Sequence, residues 1–236
     1  DPDALANVVH MFSEEELRFR PGRAFIYSNV NYDIAGAVME VASGMKFEAY
    51  MEKNVFRPLG MNATSILLPK EGYTMASGYK MGFNKPVQYD APRYRGQAPA
   101  GYVITNTNDM VTYLKTQLGM IENDYSQLIR QSQYVDPLLQ GNRFNVVLYT
   151  NGWRYQTNRN LYQHGGWNPN YCGFISFDPM GKKAVAVFTN YSNSSINSFL
   201  GTLIMDFLQG KITEETKLDD YESLREMDGG FSGAAT

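Results

Sequence analysis

Two short segments carry side chains that could take part in acyl transfer. Tyr27-Ser28-Asn29 places a phenol two residues before a carboxamide, and His164-Gly165-Gly166 places an imidazole before two glycines. A tyrosine can accept and return the proton of a nucleophilic hydroxyl if a nearby cation lowers its pKa, which is normally about 10. Two small residues on a strand let a substrate backbone lie against it. Both segments suit a site that binds and cleaves an acyl compound.

The Tyr-x-Asn pattern has little specificity by itself. It occurs again at Tyr149-Thr150-Asn151 and Tyr191-Ser192-Asn193, in a chain with 17 tyrosines. Only Tyr27 stands between a Pro-Gly turn and a predicted helix start, where a phenol can be held rigidly at a cleft. The alternatives are a core aromatic at Tyr27, a helix cap at Asn29, and a structural strand histidine at His164.

The elements that would position these residues follow from hydrophobic periodicity. A helix is predicted from Asn31 to a C-cap at Gly44, and a second from Phe47 to the residue before Pro58. Residues 67–97 are predicted to be a long irregular excursion with a short hairpin, followed by a helix capped by Asn106. The apolar faces expected to be buried are Ile34, Val38, Val41 and Ala42 in the first helix, and Val111, Leu114 and Leu118 in the helix after Asn106.

After residue 143 the pattern changes to short strands. They are predicted at 144–149, 153–156, 161–164, 171–177 and 184–189. Asp178-Pro179-Met180-Gly181 predicts a hairpin turn, because Pro179 fixes φ and Gly181 permits a positive φ. An amphipathic helix with Ile196, Phe199, Leu200, Leu203, Ile204, Phe207 and Leu208 on its buried face should pack on the sheet. Residues 211–236 are predicted to be a loose tail.

Composition excludes several classes of function. The 236 residues are 43% hydrophobic and 19% charged, as in ordinary globular domains. A net charge of −3 with no basic run argues against nucleic acid as a partner. One cysteine and two isolated histidines predict no disulfide and no metal, and nothing indicates a cofactor. No stretch reaches the roughly 18 apolar residues of a membrane span.

The order of these motifs resembles that of the class C β-lactamases and DD-peptidases, which are penicillin-recognising serine hydrolases. The likeness covers roughly residues 15 to 208: the Tyr27 segment, the helix pair ending at Pro58-Leu59-Gly60-Met61, Ala98-Pro99-Ala100-Gly101, and His164-Gly165-Gly166 before a hairpin. It implies an α+β fold with an antiparallel sheet flanked by helices, plus a helical lobe. Residues 1–210 would form a partial catalytic domain, with a mainly helical lobe at about 27–140 and the sheet and last helix at 144–210.

The resemblance also implies roles for individual residues. Tyr27 would shuttle the proton, and Asn29 would bond the catalytic lysine and the substrate amide. His164, Gly165 and Gly166 take the place of the family's Lys-Thr-Gly on the substrate-binding strand, and the backbone N–H of Trp167 would complete an oxyanion hole. Histidine instead of lysine removes a permanent positive charge near neutral pH, which puts β-lactam hydrolysis in doubt.

The family's nucleophile, the serine of Ser-x-x-Lys, has no match before Tyr27, which only 26 residues precede. Two segments match the Ser-x-x-Lys pattern, Ser43-Gly44-Met45-Lys46 and Ser77-Gly78-Tyr79-Lys80. Both lie after Tyr27, whereas the family's Ser-x-x-Lys precedes its Tyr-x-Asn motif. We therefore expect the serine and lysine to come from an absent upstream segment, and this chain alone to be inactive.

Several further expectations rest on the resemblance. The partners would be a small-molecule or peptide substrate, the upstream segment, and a second copy that associates through the incomplete sheet. The location would be outside the cytoplasm. A non-catalytic domain that senses cell-wall peptides remains the alternative, because fold alone does not separate the two functions.

Overall fold

The computed structural model describes residues 1–82, 85–135 and 147–212, which form helices and antiparallel sheets. The helices are α1 (Ala4–Phe12), α2 (Asn29–Ser43), α3 (Phe47–Met51), α4 (Ala98–Gly101), α5 (Thr107–Gln117), α6 (Ser126–Ser132) and α7 (Ser194–Leu208). The strands are β1 (Ser65–Ile66), β2 (Tyr79–Gly82), β3 (Lys85–Gln88), β4 (Val103–Ile104), β5 (Val147–Tyr149), β6 (Arg154–Gln156), β7 (Leu161–Asn168), β8 (Tyr171–Asp178) and β9 (Lys183–Thr189). The α+β prediction is confirmed.

Helix α2 has the predicted position but a different buried face. It starts after an extended Ser28 and ends at Gly44, whose φ of 66° is the left-handed C-cap conformation. Val38 and Val41, expected in the core, are 61% and 87% exposed. Asp33, Gly36 and Ala37 are buried instead, because α2 packs against α4 so closely that a Cβ on Gly36 would lie 3.0 Å from Pro99 Cβ.

The segment between the helix pair and α5 follows the prediction. Helix α3 continues as a π-helical turn (Glu52–Phe56) before Pro58. The excursion contains the short hairpin β2–β3. Asn106 caps α5 by accepting a hydrogen bond from the Asp109 N–H at 2.9 Å. Leu114 and Leu118 are buried as expected, whereas Val111 is 49% exposed.

The main sheet has five antiparallel strands in the order β5-β6-β7-β8-β9. β5 to β9 lie where strands were predicted, except that residues 144–146 of the first predicted strand fall outside the described residues, as do residues 213–236 of the predicted tail. The predicted β8–β9 turn is present, and the residue with a positive φ is Lys182, at 54°. Gly181 is required for space, because a Cβ there would lie 2.5 Å from Asp178 Oδ2.

Helix α7 packs across β8 and β9 through one polar, one small and one large apolar buried residue. Asn197, Gly201 and Met205 are buried. Four of the apolar residues expected on the buried face are exposed instead: Ile196, Ile204, Phe207 and Leu208. The Asn197 amide donates to Cys172 O at 3.0 Å and to Val187 O at 3.1 Å. These bonds fix the helix on the face of the sheet opposite His164.

Across residues 1–82, 85–135 and 147–212, no helix is long and apolar enough to cross a membrane. Over the same part of the chain, no group of three or more His, Cys, Asp or Glu side chains is placed to hold a metal ion.

Candidate active site

The predicted site residues meet at one cleft of about 990 Å³ between the helical part and the main sheet. Helix α2, helix α4 and strand β7 form its walls. The predicted residues that line it are Tyr27, Asn29, His164, Gly165, Gly166 and Trp167. Side chains more than 130 positions apart in the chain therefore share one cavity.

Tyr27 and Asn29 reach this cleft because α2 begins between them. Ser28 is the N-cap residue and Asn29 is the first helical residue, and neither makes a side-chain capping bond. Tyr27 is 40% exposed. Tyr27 is thus partly exposed at the cleft, and Ser28 rather than Asn29 occupies the N-cap position. Burial and the neighbouring Tyr32 raise the pKa of Tyr27, with Arg154 acting in the opposite direction.

Two tyrosines that the sequence analysis had not assigned to the site lie beside Tyr27. The ring centroid of Tyr149 is 5.7 Å from that of Tyr27, and the ring of Tyr32 is 6.3 Å away. The hydroxyls of Tyr32 and Tyr149 are hydrogen-bonded at 2.8 Å. Tyr149 belongs to one of the Tyr-x-Asn repeats set aside as uninformative. Tyr32 lies one helical turn after Asn29, a spacing that could have indicated it.

His164 is held at both ring nitrogens. Its Nδ1 lies 2.7 Å from Gly165 O, and its Nε2 lies 3.1 Å from the Tyr149 hydroxyl. Its ring centroid is 6.0 Å from that of Tyr27. Burial is the main cause that lowers the pKa of His164, and Arg154 acts in the same direction. Burial thus favours the neutral imidazole, and the two contacts hold the ring at the wall of the cleft.

The register of β7 and β8 determines where the Trp167 amide points. Only residues 169–170 separate the strands, so the pair Asn168–Tyr171 beside the turn is hydrogen-bonded. Bonded and non-bonded pairs alternate along an antiparallel ladder, which makes Trp167–Cys172 a non-bonded pair. The Trp167 N–H thus points away from β8. On that side β6 pairs with β7 only at residues 161–163, so the N–H faces the open edge at the cleft.

Helix α4 makes a polar contact with helix α2 beside the cleft. The Ala100 N–H donates to Asp33 Oδ1 at 3.2 Å, and this carboxylate on α2 is only 3% exposed. Burial raises the pKa of Asp33 to about 6. The bond fixes α4 against α2, and with it one wall of the cleft.

Neither of the two segments that match the Ser-x-x-Lys pattern lies at the cleft. The Ser43 hydroxyl bonds Met39 O within α2, and Lys46 Nζ bonds Pro2 O. Lys80 Nζ lies 3.7 Å from the centroid of the Tyr89 ring in the excursion. Cys172 does line the cleft, but burial raises the pKa of its thiol and disfavours the nucleophilic thiolate.

Comparison with known proteins gives a consistent result. Protein flp of Staphylococcus aureus is 27% identical over 195 residues, which cover 81% of this chain and 38% of that protein. A putative D-alanyl-D-alanine carboxypeptidase of Salmonella typhi is 22% identical, with 81% of this chain and 51% of that protein covered. The chain thus spans about half the length or less of these relatives.

Solved structures show the same fold. The octameric penicillin-binding protein homologue from Pyrococcus abyssi superposes with a TM-score of 0.74 at 24% identity, over 89% of this chain and 49% of that one. The beta-lactamase/D-alanine carboxypeptidase from Pseudomonas syringae gives 0.70 at 15% identity, over 88% and 65%. The family model described as Beta-lactamase matches residues 1–207. Since that match covers most of its length, the chain belongs to the beta-lactamase family.

Proposed function

We propose that this chain supplies three sides of the active site of a penicillin-binding-protein-like serine hydrolase. The enzyme would be a peptidase, amidase or esterase that forms an acyl-serine intermediate. The observation that carries the proposal is the convergence of Tyr27, Asn29 and the open edge of β7 on one cleft. A phenol, a carboxamide and an unpaired backbone N–H are the groups that such a reaction needs around a serine.

The proposed steps assign one task to each group. The serine hydroxyl attacks the carbonyl carbon of the substrate, and Tyr27 accepts its proton and returns it to the leaving group. The Trp167 N–H donates to the oxyanion that forms, and Asn29 bonds the substrate amide. Burial raises the pKa of Tyr27 in this structure. A lysine beside the serine would therefore have to provide the positive charge that lowers it.

We assign that serine and lysine to residues upstream of Asp1 in the full-length polypeptide. Both Ser-x-x-Lys segments of this chain bond elsewhere, and neither lines the cleft. Strand β9 is an outer strand of the main sheet, and within the described residues its second edge has no partner. Upstream strands, or a second copy of the chain, would pair there. We also propose an extracytoplasmic location, which fractionation of cells would test.

Labelling with an activated-serine probe and with a fluorescent penicillin tests the proposal. The full-length protein should be labelled, and residues 1–236 alone should not. Labelling of residues 1–236 alone would show that a nucleophile is present in this chain. If the full-length protein has an intact Ser-x-x-Lys and is still not labelled, the sensing alternative replaces the enzyme.

A matched pair of tyrosine variants tests the role of Tyr27. Tyr27→Phe should lower the turnover of an activated ester by about a hundredfold to ten-thousandfold, the usual range for loss of a general base. Tyr155→Phe removes a hydroxyl that bonds Asn160 in the β6–β7 turn at 2.8 Å, outside the lining of the cleft, and should leave turnover unchanged. Equal turnover of both variants would remove Tyr27 from the mechanism.

A further inference from the structure

The hydroxyls of Tyr32 and Tyr149 and the ring of His164 form one hydrogen-bonded chain, and the direction of each bond can be deduced. A carbonyl oxygen only accepts, so the bond to Gly165 O requires a hydrogen on His164 Nδ1. In the neutral ring Nε2 is then the acceptor, and the Tyr149 hydroxyl must donate to it. The Tyr149 oxygen in turn accepts from the Tyr32 hydroxyl.

The surroundings of the chain favour this arrangement over a charged ring. The titratable and charged groups around His164 are Tyr27, Tyr32, Tyr149 and Arg154, and in the described residues no carboxylate bonds the ring. Arg154 opposes an imidazolium. Burial and Tyr32 raise the pKa of Tyr149, so its hydroxyl keeps the proton that it donates.

We propose that Tyr149 is a positioning residue. Held by the Tyr32 hydroxyl, it keeps His164 neutral with the hydrogen on Nδ1. The site then takes acyl substrates that present no carboxylate to β7. The substrate part rests on the proposed function. With both nitrogens bonded inside the protein, His164 has neither a charge nor a free N–H to offer a carboxylate. Esters and amides with an uncharged acyl group are then the preferred class.

The spectroscopic test does not require activity. In full-length protein labelled at histidine, the signals of His164 are the ones that the variant His164→Gln loses. The nitrogen shifts of His164 should be those of a protonated Nδ1 and an unprotonated Nε2 at neutral pH. A hydrogen on Nε2 would overturn the proposal.

Variants of the chain supply the second readout. Tyr149→Phe removes a donor that favours the neutral ring, and should raise the pKa of His164 by roughly half to one unit. Tyr32→Phe should shift it in the same direction by less, and is the variant to use if Tyr149→Phe does not fold. Tyr155→Phe, which removes a hydroxyl that bonds Asn160 and not the ring, should have no effect. Identical titration of His164 in all three variants would refute the positioning role.

Substrate preference is tested separately with two p-nitrophenyl esters of similar size, the butyrate and the hemisuccinate. The full-length protein should have a higher kcat/KM for the uncharged butyrate. Equal or higher kcat/KM for the hemisuccinate would overturn the substrate part while leaving the tautomer result standing. If neither ester is cleaved and no serine probe labels the protein, the proposed function fails, and the nitrogen shifts still decide the role of Tyr149.

Discussion

Asp33 should make the protein less stable as pH rises, and Asp33→Asn should abolish this effect. The carboxylate is 3% exposed and accepts a 3.2 Å bond from the Ala100 N–H. Burial raises its pKa from 3.8 to about 6. Asparagine keeps an acceptor oxygen for Ala100 and removes the charge, so the variant isolates the cost of ionisation.

The sign and size follow from proton linkage. Because the pKa of Asp33 is higher in the folded state, that state binds more protons than the unfolded chain between the two values. The resulting stability is fully present below pH 3.8 and is lost as pH rises through about 6. A shift of roughly two units corresponds to about 3 kcal/mol at 1.36 kcal/mol per unit. Asp33→Asn should therefore gain up to about 3 kcal/mol over the native protein between pH 4 and pH 8.

Urea unfolding at several pH values measures this difference. The fluorescence of the two tryptophans, Trp153 and Trp167, reports on the core and on the cleft. Asp124→Asn removes an exposed carboxylate and serves as the matched control. A constant difference in unfolding free energy between Asp33→Asn and the native protein across this range would refute the reasoning.

Three substitutions should report on packing, measured by the same unfolding experiment. Gly201→Ala should destabilise the protein by roughly 1–2 kcal/mol, although alanine has the better helix propensity, because the added Cβ would lie 2.5 Å from Phe174 Cε1. Phe174→Leu in the same protein should reduce that cost. Asp109→Ala should cost about 3–5 kcal/mol, because it leaves the buried donors at residues 63 and 64 without an acceptor; Asp109→Asn should cost less. Asn197→Ala should cost roughly 2–4 kcal/mol through the loss of its bonds to β8 and β9.

The position of each helix and strand was largely predictable from the chain, because local rules decide it. The Gly44 cap, the Asn106 cap and the Asp178 turn act over a few residues, so they mark ends without knowledge of the fold. The strand after residue 161 extends to Asn168, further than its apolar pattern indicated. Exposed residues beside a cleft carry no period-two pattern, which explains the short prediction.

The candidate site was only partly predictable. Tyr27 was separated from two other Tyr-x-Asn copies by its neighbours in the chain, and the structure places it at the cleft. Tyr149 was rejected by the same criterion, yet it lies 3.1 Å from His164 Nε2. A motif search judges a residue by its neighbours along the chain, whereas Tyr149 owes its position to β5 pairing with β6 and β6 with β7.

The sequence by itself determined the fold class, the order of the elements and the motif at Tyr27. Only the tertiary structure decided which helix faces are buried and which side chains share the cleft. Val38 and Phe207 fit an apolar stripe but are exposed, whereas Gly36 and Asn197 are buried. The physical reason is that close helix packing selects small residues and residues that bond across the contact, and both depend on what the opposite surface presents.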